Sequence, residues 1–222
     1  MYVEFDLPAL PPKRDAFSQY WLRSIFIKSQ SIRYEINALA NTYVRLVNAA
    51  LVEYEEGGKR LRAFWATHTS FNLGAMNRST SHFESCIFNA NRATNCFRRL
   101  RGDRLYDPIA LALRQHNFSF PQDAIADRIR EMRNEIYHLE DLVLDGRILQ
   151  GQSFALRADG PEVPHPTEAN QTVKTIDRLL IGSHEILFRD LVQWLIEMTD
   201  AVSKMAEVLP SSSLPPAKPN AV

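Results

Sequence analysis

The side chains best suited to chemistry lie close together in the string RNEIYH at positions 133–138. A guanidinium stabilises the charge of a phosphate, and an imidazole takes up or releases a proton near neutral pH. Asn134 and His138 are four residues apart, so they are surface neighbours on a helix. Arg133 and His138 are five residues apart and flank that face, a spacing that is poor for two ligands of one metal ion. We therefore expect acid–base chemistry on an anionic group and no metal site.

An amphipathic segment, residues 119–146, carries this string. Its apolar residues recur at steps of three and four, which places them on one side of a helix. These residues are Ile125, Ile129, Met132, Ile136, Leu139 and Val143. Ser119 and Gln122 have the spacing of a capping box, and Gly146 is a natural C-terminal stop. We predict one continuous helix with a polar face opposite the apolar stripe. That face contains Arg130, Asn134, Tyr137, His138 and Asp141.

The motif Arg133-Asn134-x3-His138 resembles the R-N-x3-H signature of HEPN domains, which are helical bundles found in many RNA-cleaving toxins and antiviral effectors. The resemblance covers one helix by its motif and residues 15–208 by their all-helical layout. It implies a metal-independent endoribonuclease without a cofactor, whose composite active site lies at the interface of a C2 homodimer. RNA would be its substrate, and an antitoxin or another regulatory protein would be a further partner.

The resemblance and the chemistry of RNA cleavage together suggest a role for each residue. Cleavage needs a base for the ribose 2′-OH, a cation for the charged phosphorane and an acid for the leaving 5′-oxygen. We expect His138 to be the general acid or base and Arg133 to clamp the phosphate. We expect Asn134 to orient His138, and Tyr137 to stack on a base or pack on the partner. Glu140 stands where some HEPN toxins carry a tyrosine, two residues after the histidine.

A second group of candidate residues is an arginine cluster at the end of an earlier predicted helix. It contains Arg92, Arg98, Arg99, Arg101 and Arg104. Cations near a helix C-terminus are favoured by the helix dipole, which is one interpretation of the cluster. The other is a patch that follows RNA phosphates. In that case the substrate-binding residues are Tyr137, Arg130, Arg98, Arg99 and Arg101.

Two other functions stay open at this point. The first is a catalytically inactive HEPN-like helical module that binds a partner protein or a nucleotide through the same polar face. The second is a plain helical scaffold, in which the motif is accidental and its face is exposed and salt-bridged. RNA cleavage in the presence of EDTA would separate the enzyme from both.

The composition is that of an ordinary globular chain. The 222 residues are 45% hydrophobic, and 26 basic side chains balance 26 acidic ones, so overall charge indicates no class of partner. Cys86 and Cys96 are expected to be buried thiols rather than a disulfide. No apolar run reaches the roughly 18 residues of a membrane helix, and the N-terminus has no signal pattern. We expect a soluble cytoplasmic protein with no membrane segment.

The remaining periodicities predict an all-α fold, an antiparallel bundle of four to five main helices with a small β or loop insertion near 147–166. Residues 1–14 would form an extended proline-rich lead, 15–208 the HEPN-like bundle domain and 209–222 a disordered tail. We predict helices over 15–58, 61–71, 81–102, 108–115 and 119–146, and from 168 or 172 to 208.

The boundaries of these helices follow from glycines and caps. Gly57-Gly58 would end the first helix, which would bend near 29–31. His68, on the helix predicted over 61–71, would be a core histidine among aromatic residues. Residues 72–80 would be a loop, and Ser81 with Glu84 would form a capping box. Gly182 would kink the last helix. The apolar residues of that helix repeat at steps of four and three and would form a heptad seam. They are Leu187, Leu191, Trp194, Met198, Ala201, Met205 and Val208.

Overall fold

The computed structural model describes residues 1–11, 14–26, 33–66, 72–102, 107–147 and 153–208. Its helices are α1 (Arg14–Phe26), α2 (Tyr34–Trp65), α3 (Leu73–Gly102), α4 (Pro108–Arg114), α5 (Asp123–Tyr137), α6 (Leu139–Leu144) and α7 (Phe188–Glu207). Its strands are β1 (Tyr2–Phe5), β2 (Ser153–Asp159), β3 (Glu162–Pro164), β4 (Thr172–Ile176), β5 (Arg178–Gly182) and β6 (His184–Leu187). The chain is mainly helical, but two small sheets replace the minor insertion that was predicted.

The two longest helices, α2 and α3, pack as an antiparallel hairpin through the core. The rings of Tyr54 and Phe83 are 6.2 Å apart, and the Ser79 hydroxyl donates a 2.9 Å hydrogen bond to the Gly57 carbonyl. A Cβ on Gly57 would lie 3.0 Å from the Phe83 ring, so glycine permits this close approach. The predicted helix stop at Gly57-Gly58 is wrong, because both glycines are buried inside α2.

The connection between α2 and α3 also differs from the prediction. α2 continues past residue 61 to Trp65, and α3 begins at Leu73. A separate helix over 61–71 and a loop over 72–80 are therefore wrong. Residues 67–71, which include the predicted core residue His68, lie outside the described residues.

The start of α3 is capped earlier than predicted. Asn72 Oδ1 accepts a 3.0 Å hydrogen bond from the Ala75 N–H, as a cap residue does. Ser81 lies inside the helix, where its hydroxyl donates to the Asn77 carbonyl at 3.1 Å. The capping box predicted for Ser81 and Glu84 is therefore wrong.

The long first helix of the prediction is two helices, since α1 ends at Phe26 and α2 begins at Tyr34. The bend predicted near 29–31 and the tail at 209–222 lie outside the described residues. The N-terminal lead contains β1, which pairs in parallel with β4. The Tyr54 hydroxyl donates a 2.9 Å hydrogen bond to the Pro8 carbonyl and ties this lead to α2.

Residues 172–187, predicted to begin the last helix, form strands β4, β5 and β6. One sheet has the order β1-β4-β3, and the other has the order β2-β5-β6. Ile181 pairs with His184, so Gly182 and Ser183 form a two-residue turn. Gly182 has a φ of +53°, which glycine adopts readily. It therefore makes a hairpin turn instead of the predicted helix kink.

The predicted last helix is correct only from Phe188 onward, as α7. Its buried face includes Leu191, Trp194, Met198, Ala201 and Met205, which belong to the predicted seam. The Tyr43 hydroxyl donates a 2.9 Å hydrogen bond to the Met198 carbonyl and joins α2 to α7 inside the core. Among the helices described here, none has the length and apolar character needed to cross a membrane.

Candidate functional site

The start of α5 is held by α7 rather than by its own cap. The Ser119 hydroxyl donates to Glu197 Oε1 at 2.8 Å, and the N–H groups of Ser119 and Phe120 both donate to Glu197 Oε2. Gln122 is the N-cap residue, but its side chain makes no capping hydrogen bond. The predicted capping box is therefore wrong, because Ser119 bonds to α7 instead.

A second anchor comes from α3. Arg98 donates through Nε and Nη2 to the Pro121 carbonyl at 3.1 and 2.9 Å, and through Nη2 to Asp123 Oδ1 at 2.8 Å. The rings of Phe97 and Phe120 are 4.7 Å apart beneath these bonds. The direction of α5 is thus set by polar contacts at its first turn and by aromatic packing below it.

The predicted helix is divided at His138. α5 ends at Tyr137, His138 has φ −103° and ψ 17°, and α6 begins at Leu139. Ile129 and Met132 are fully buried, whereas α6 buries no residue and Val143 is 51% exposed. One continuous helix over 119–146 is therefore wrong. The break coincides with the point at which the helix leaves the core and loses tertiary support.

Arg133 is held in a fixed position between two aromatic rings. Its Cζ lies 5.4 Å from the centroid of the Phe88 ring on α3 and 4.9 Å from that of Tyr137. Its Nη1 donates a 2.9 Å hydrogen bond to Asn134 Oδ1. These contacts limit the freedom of the guanidinium, which is half-buried. They also cover a face of Tyr137 that was expected to receive an RNA base.

His138 lies at the exposed junction of α5 and α6. Its side chain is 52% exposed, and its Nδ1 lies 3.4 Å from Asp141 Oδ2. The Tyr137 ring packs edge-on against the imidazole, with centroids 4.9 Å apart. Asp141 is the side chain that lies within hydrogen-bonding distance of His138, whereas the Oδ1 of Asn134, which was predicted to orient the imidazole, accepts from Arg133. Tyr137 links the guanidinium to the imidazole.

A shallow cavity of about 280 Å³ lies beside His138 and includes a residue that sequence reasoning missed. Asn134, Asp141 and Arg147 are among the residues that line it. Gly146 has a φ of +64°, and the Arg147 N–H donates a 3.0 Å hydrogen bond to the Leu142 carbonyl. This is the Schellman ending that glycine favours, and it returns Arg147 towards the motif. The predicted Gly146 stop is confirmed. Because such an ending turns the chain back towards the helix, this glycine was the sequence signal that could have predicted the position of Arg147 beside the motif.

The hairpin between β5 and β6 packs against the same part of α5. His184 Nε2 lies 3.5 Å from Glu135 Oε1, and His184 Nδ1 lies 3.8 Å from Glu131 Oε2. A Cβ at Gly182 would lie 3.3 Å from the Glu135 carboxylate. The hairpin therefore fixes the side of α5 next to the motif. Within the described ranges, no three His, Cys, Asp or Glu side chains are arranged to hold a metal ion.

The charge near the motif is negative on balance. Between residues 130 and 147, five carboxylates accompany three guanidinium groups. Arg130 pairs with Asp127 at 3.1 Å, and Arg147 pairs with Asp145 at 2.8 Å. An anionic substrate at His138 would therefore need cations from outside this segment.

Arg98, Arg99 and Arg101 do not supply those cations within one chain. Phe88 of α3 contacts Arg133 near the end of α5, whereas Arg98 contacts Asp123 at its start, so the two helices run antiparallel. The 15 residues of α5 separate Arg98 from His138 by about 22 Å, and Arg99 and Arg101 lie further along α3. Arg99 is exposed and Arg101 is half-buried, and Arg104 lies outside the described residues.

The chain matches no protein-family model, no curated protein and no solved structure. The resemblance to HEPN domains therefore depends on the motif and on the helices that carry it.

We predict that Arg98 stabilises the fold. Arg98→Gln removes the charged hydrogen bonds to Pro121 and Asp123, so it should lower the free energy of unfolding by roughly 1 to 2 kcal/mol. Arg99→Gln is the matched control on the exposed side of the same helix, and it should change stability by less than about 0.5 kcal/mol. Urea denaturation of both variants measures the difference. Equal effects would contradict the role of Arg98 as an anchor of α5.

Proposed function

We propose that this chain is a metal-independent endoribonuclease of the HEPN type, acting as a toxin or an antiviral-defence effector. The observation that carries the proposal is a contiguous cluster at the exposed end of α5. The Tyr137 ring contacts the guanidinium of Arg133 and the imidazole of His138, which is half-exposed beside a cavity of about 280 Å³. The three side chains are therefore close enough to one another to act on the same phosphate group.

The reaction would be an internal displacement at phosphorus. A base removes the proton of the ribose 2′-OH, and the 2′-oxygen forms a bond to phosphorus. The bond to the 5′-oxygen breaks, and an acid returns a proton to that oxygen. The products are a 2′,3′-cyclic phosphate and a 5′-hydroxyl. Since Nδ1 of His138 faces Asp141, its Nε2 is the nitrogen available for proton transfer.

Arg133 would stabilise the charge that develops on the phosphorane. Its guanidinium is already oriented by Asn134 and the two rings, so little reorganisation is needed when the charge forms. The remaining N–H donors of the guanidinium present a planar fork that suits phosphate oxygens. Asn134 would thus position the clamp instead of the imidazole.

One chain offers a single His138 and a single Arg133, whereas the reaction needs both a base and an acid. A C2 homodimer with the two α5–α6 junctions face to face would supply a second copy of each. We therefore propose that the active site is composite, and that an antitoxin or regulatory protein would control it by covering this face.

The charge balance supports a second candidate function. Five carboxylates against three guanidinium groups around the motif disfavour RNA and suit a basic surface on another protein. A catalytically inactive HEPN-like module that binds a partner protein through the same face would have this property, whereas a nucleotide, the other ligand of such a module, is anionic and is disfavoured like RNA.

We predict that His138→Ala abolishes RNA cleavage and leaves the fold intact. The loss of the proton-transfer group should lower the rate roughly 10²- to 10⁴-fold, while stability changes by about 0.5 kcal/mol or less because the side chain is exposed. Arg133→Lys should lose about 10²-fold, since lysine keeps the charge without the fork. Cleavage of labelled RNA in EDTA and thermal unfolding of each variant provide the measurements.

Ile129→Asp is the control for a fold defect. Ile129 is 1% exposed, so a buried carboxylate there should cost roughly 3 kcal/mol or more and remove structure together with activity. Ile136, which lies within the motif, is only half-buried and is a weaker control. A stable wild-type protein that cuts no RNA would favour the binding module, and an unfolded His138→Ala variant would make His138 a structural residue.

A separate prediction concerns the composite site. In a heterodimer of one wild-type chain and one His138→Ala chain, isolated with two different tags, activity should fall well below half that of the wild-type dimer. The reason is that the shared site would lose one of its two imidazoles. A heterodimer that keeps half the activity would show independent sites. A protein that stays monomeric at tens of micromolar in light scattering would also exclude the composite arrangement.

A further inference from the structure

A cavity of about 670 Å³ lies between the last turns of α2, the first turns of α3 and strand β2. Its apolar lining includes Leu61, Phe64, Trp65, Phe83, Leu156 and Leu179. This volume is within the roughly 300–1,000 Å³ that small-molecule sites occupy. None of its described lining residues belongs to the cavity beside His138, so the two are separate.

The walls of this cavity are tied to one another by hydrogen bonds. The Ser79 hydroxyl donates to the Gly57 carbonyl at 2.9 Å and joins α3 to α2. The Thr80 hydroxyl donates to the Leu156 carbonyl at 3.4 Å and joins α3 to β2. The cavity therefore does not depend on a ligand to bring its walls together, which favours binding by reducing the cost of ordering them.

The rim of the 670 Å³ cavity carries a positively charged side chain. Arg157 is the one ionisable side chain among the described lining residues, and it is 56% exposed. Its Nη2 lies 2.9 Å from Asp159 Oδ2, while Lys174 Nζ lies 2.6 Å from Asp159 Oδ1. The two cations thus share one carboxylate, so Arg157, Lys174 and Asp159 together carry one net positive charge. A guanidinium has five N–H donors, so donors remain for an anionic ligand.

We propose that this cavity binds a small anionic amphiphile, with its apolar body between α2, α3 and β2 and its carboxylate on Arg157. Aromatic and aliphatic walls suit an alkyl chain or a ring, and a guanidinium suits the planar geometry of a carboxylate. The cavity is too small for a folded partner, and it offers no described carboxylate for a cationic ligand. The site would give the protein a ligand that is independent of RNA.

The test uses a series of straight-chain carboxylic acids from six to fourteen carbons, kept below their micelle concentrations. Displacement of a fluorescent fatty acid from the full-length protein gives each affinity. Each added methylene should strengthen binding about fourfold until the cavity is full, after which affinity should level off. The alcohol of the same length should bind about tenfold more weakly, because it lacks the charged contact with Arg157.

Two variants locate the site. Arg157→Gln should remove the difference between acid and alcohol, and Asp159 keeps Lys174 and the Gly160 N–H as partners, so the fold should survive. Ser81→Phe places a ring at the exposed edge of the cavity and should weaken binding at least about tenfold. Asn95→Phe adds the same ring further along α3 and should leave binding unchanged.

Several results would overturn the proposal. The absence of saturable binding by any acid would do so, as would affinity that does not depend on chain length. Equal binding of acid and alcohol by the wild-type protein would show that the site does not recognise an anionic head group. A Ser81→Phe variant that is folded by circular dichroism and binds as well as Asn95→Phe would place the ligand elsewhere.

Discussion

The position of the motif depends on two polar anchors at the first turn of α5. Glu197 of α7 accepts hydrogen bonds from the backbone and side chain of Ser119, and Arg98 of α3 donates to Pro121 and Asp123. These contacts are charge-assisted, and such hydrogen bonds are stronger than neutral ones. They set the direction of α5 across α3, so that Arg133 reaches the Phe88 ring 5.4 Å away. The chemistry proposed for the far end of the helix follows from this direction.

The same geometry explains why the reactive side chains are accessible. Ile129 and Met132 hold the first part of α5 in the core, but α6 buries no residue. His138 lies where this support ends, so its imidazole is exposed while the guanidinium before it remains held between aromatic rings. A fixed cation beside an accessible proton carrier is the arrangement on which the proposed ribonuclease depends. The need for both a general acid and a general base is the reason that the proposal requires a second chain.

Hydrophobic periodicity predicted the helices that bury one face along their length. It failed where glycine packing or a tight turn determines the structure. The apolar stripe of α5 and the seam of α7 from Leu191 to Met205 were found, because each packs on the core along one side. Gly57-Gly58 was mistaken for a stop, since only the packing of Phe83 shows why glycine is needed there. The predicted last helix includes residues 172–187, although the Gly182-Ser183 turn lies between short apolar runs at 179–181 and 186–187, a pattern typical of a hairpin.

The site itself was predicted in part. The neighbourhood of Arg133, Asn134, Tyr137 and His138 followed from their spacing, whereas the pairing of His138 with Asp141 depends on the helix break, which no proline or glycine announces. The anchoring role of Arg98 was not predicted, because its partners Pro121 and Asp123 are more than twenty residues away in sequence. Long-range partners of this kind are not visible in local patterns.

The most direct measurement is the chemistry of the RNA ends that the purified protein produces in EDTA, determined by mass spectrometry. We predict 2′,3′-cyclic phosphate and 5′-hydroxyl ends from the wild-type protein and no such ends from His138→Ala. Products with 5′-phosphate ends, or equal amounts of cyclic phosphate from both proteins, would contradict a reaction in which His138 transfers the proton.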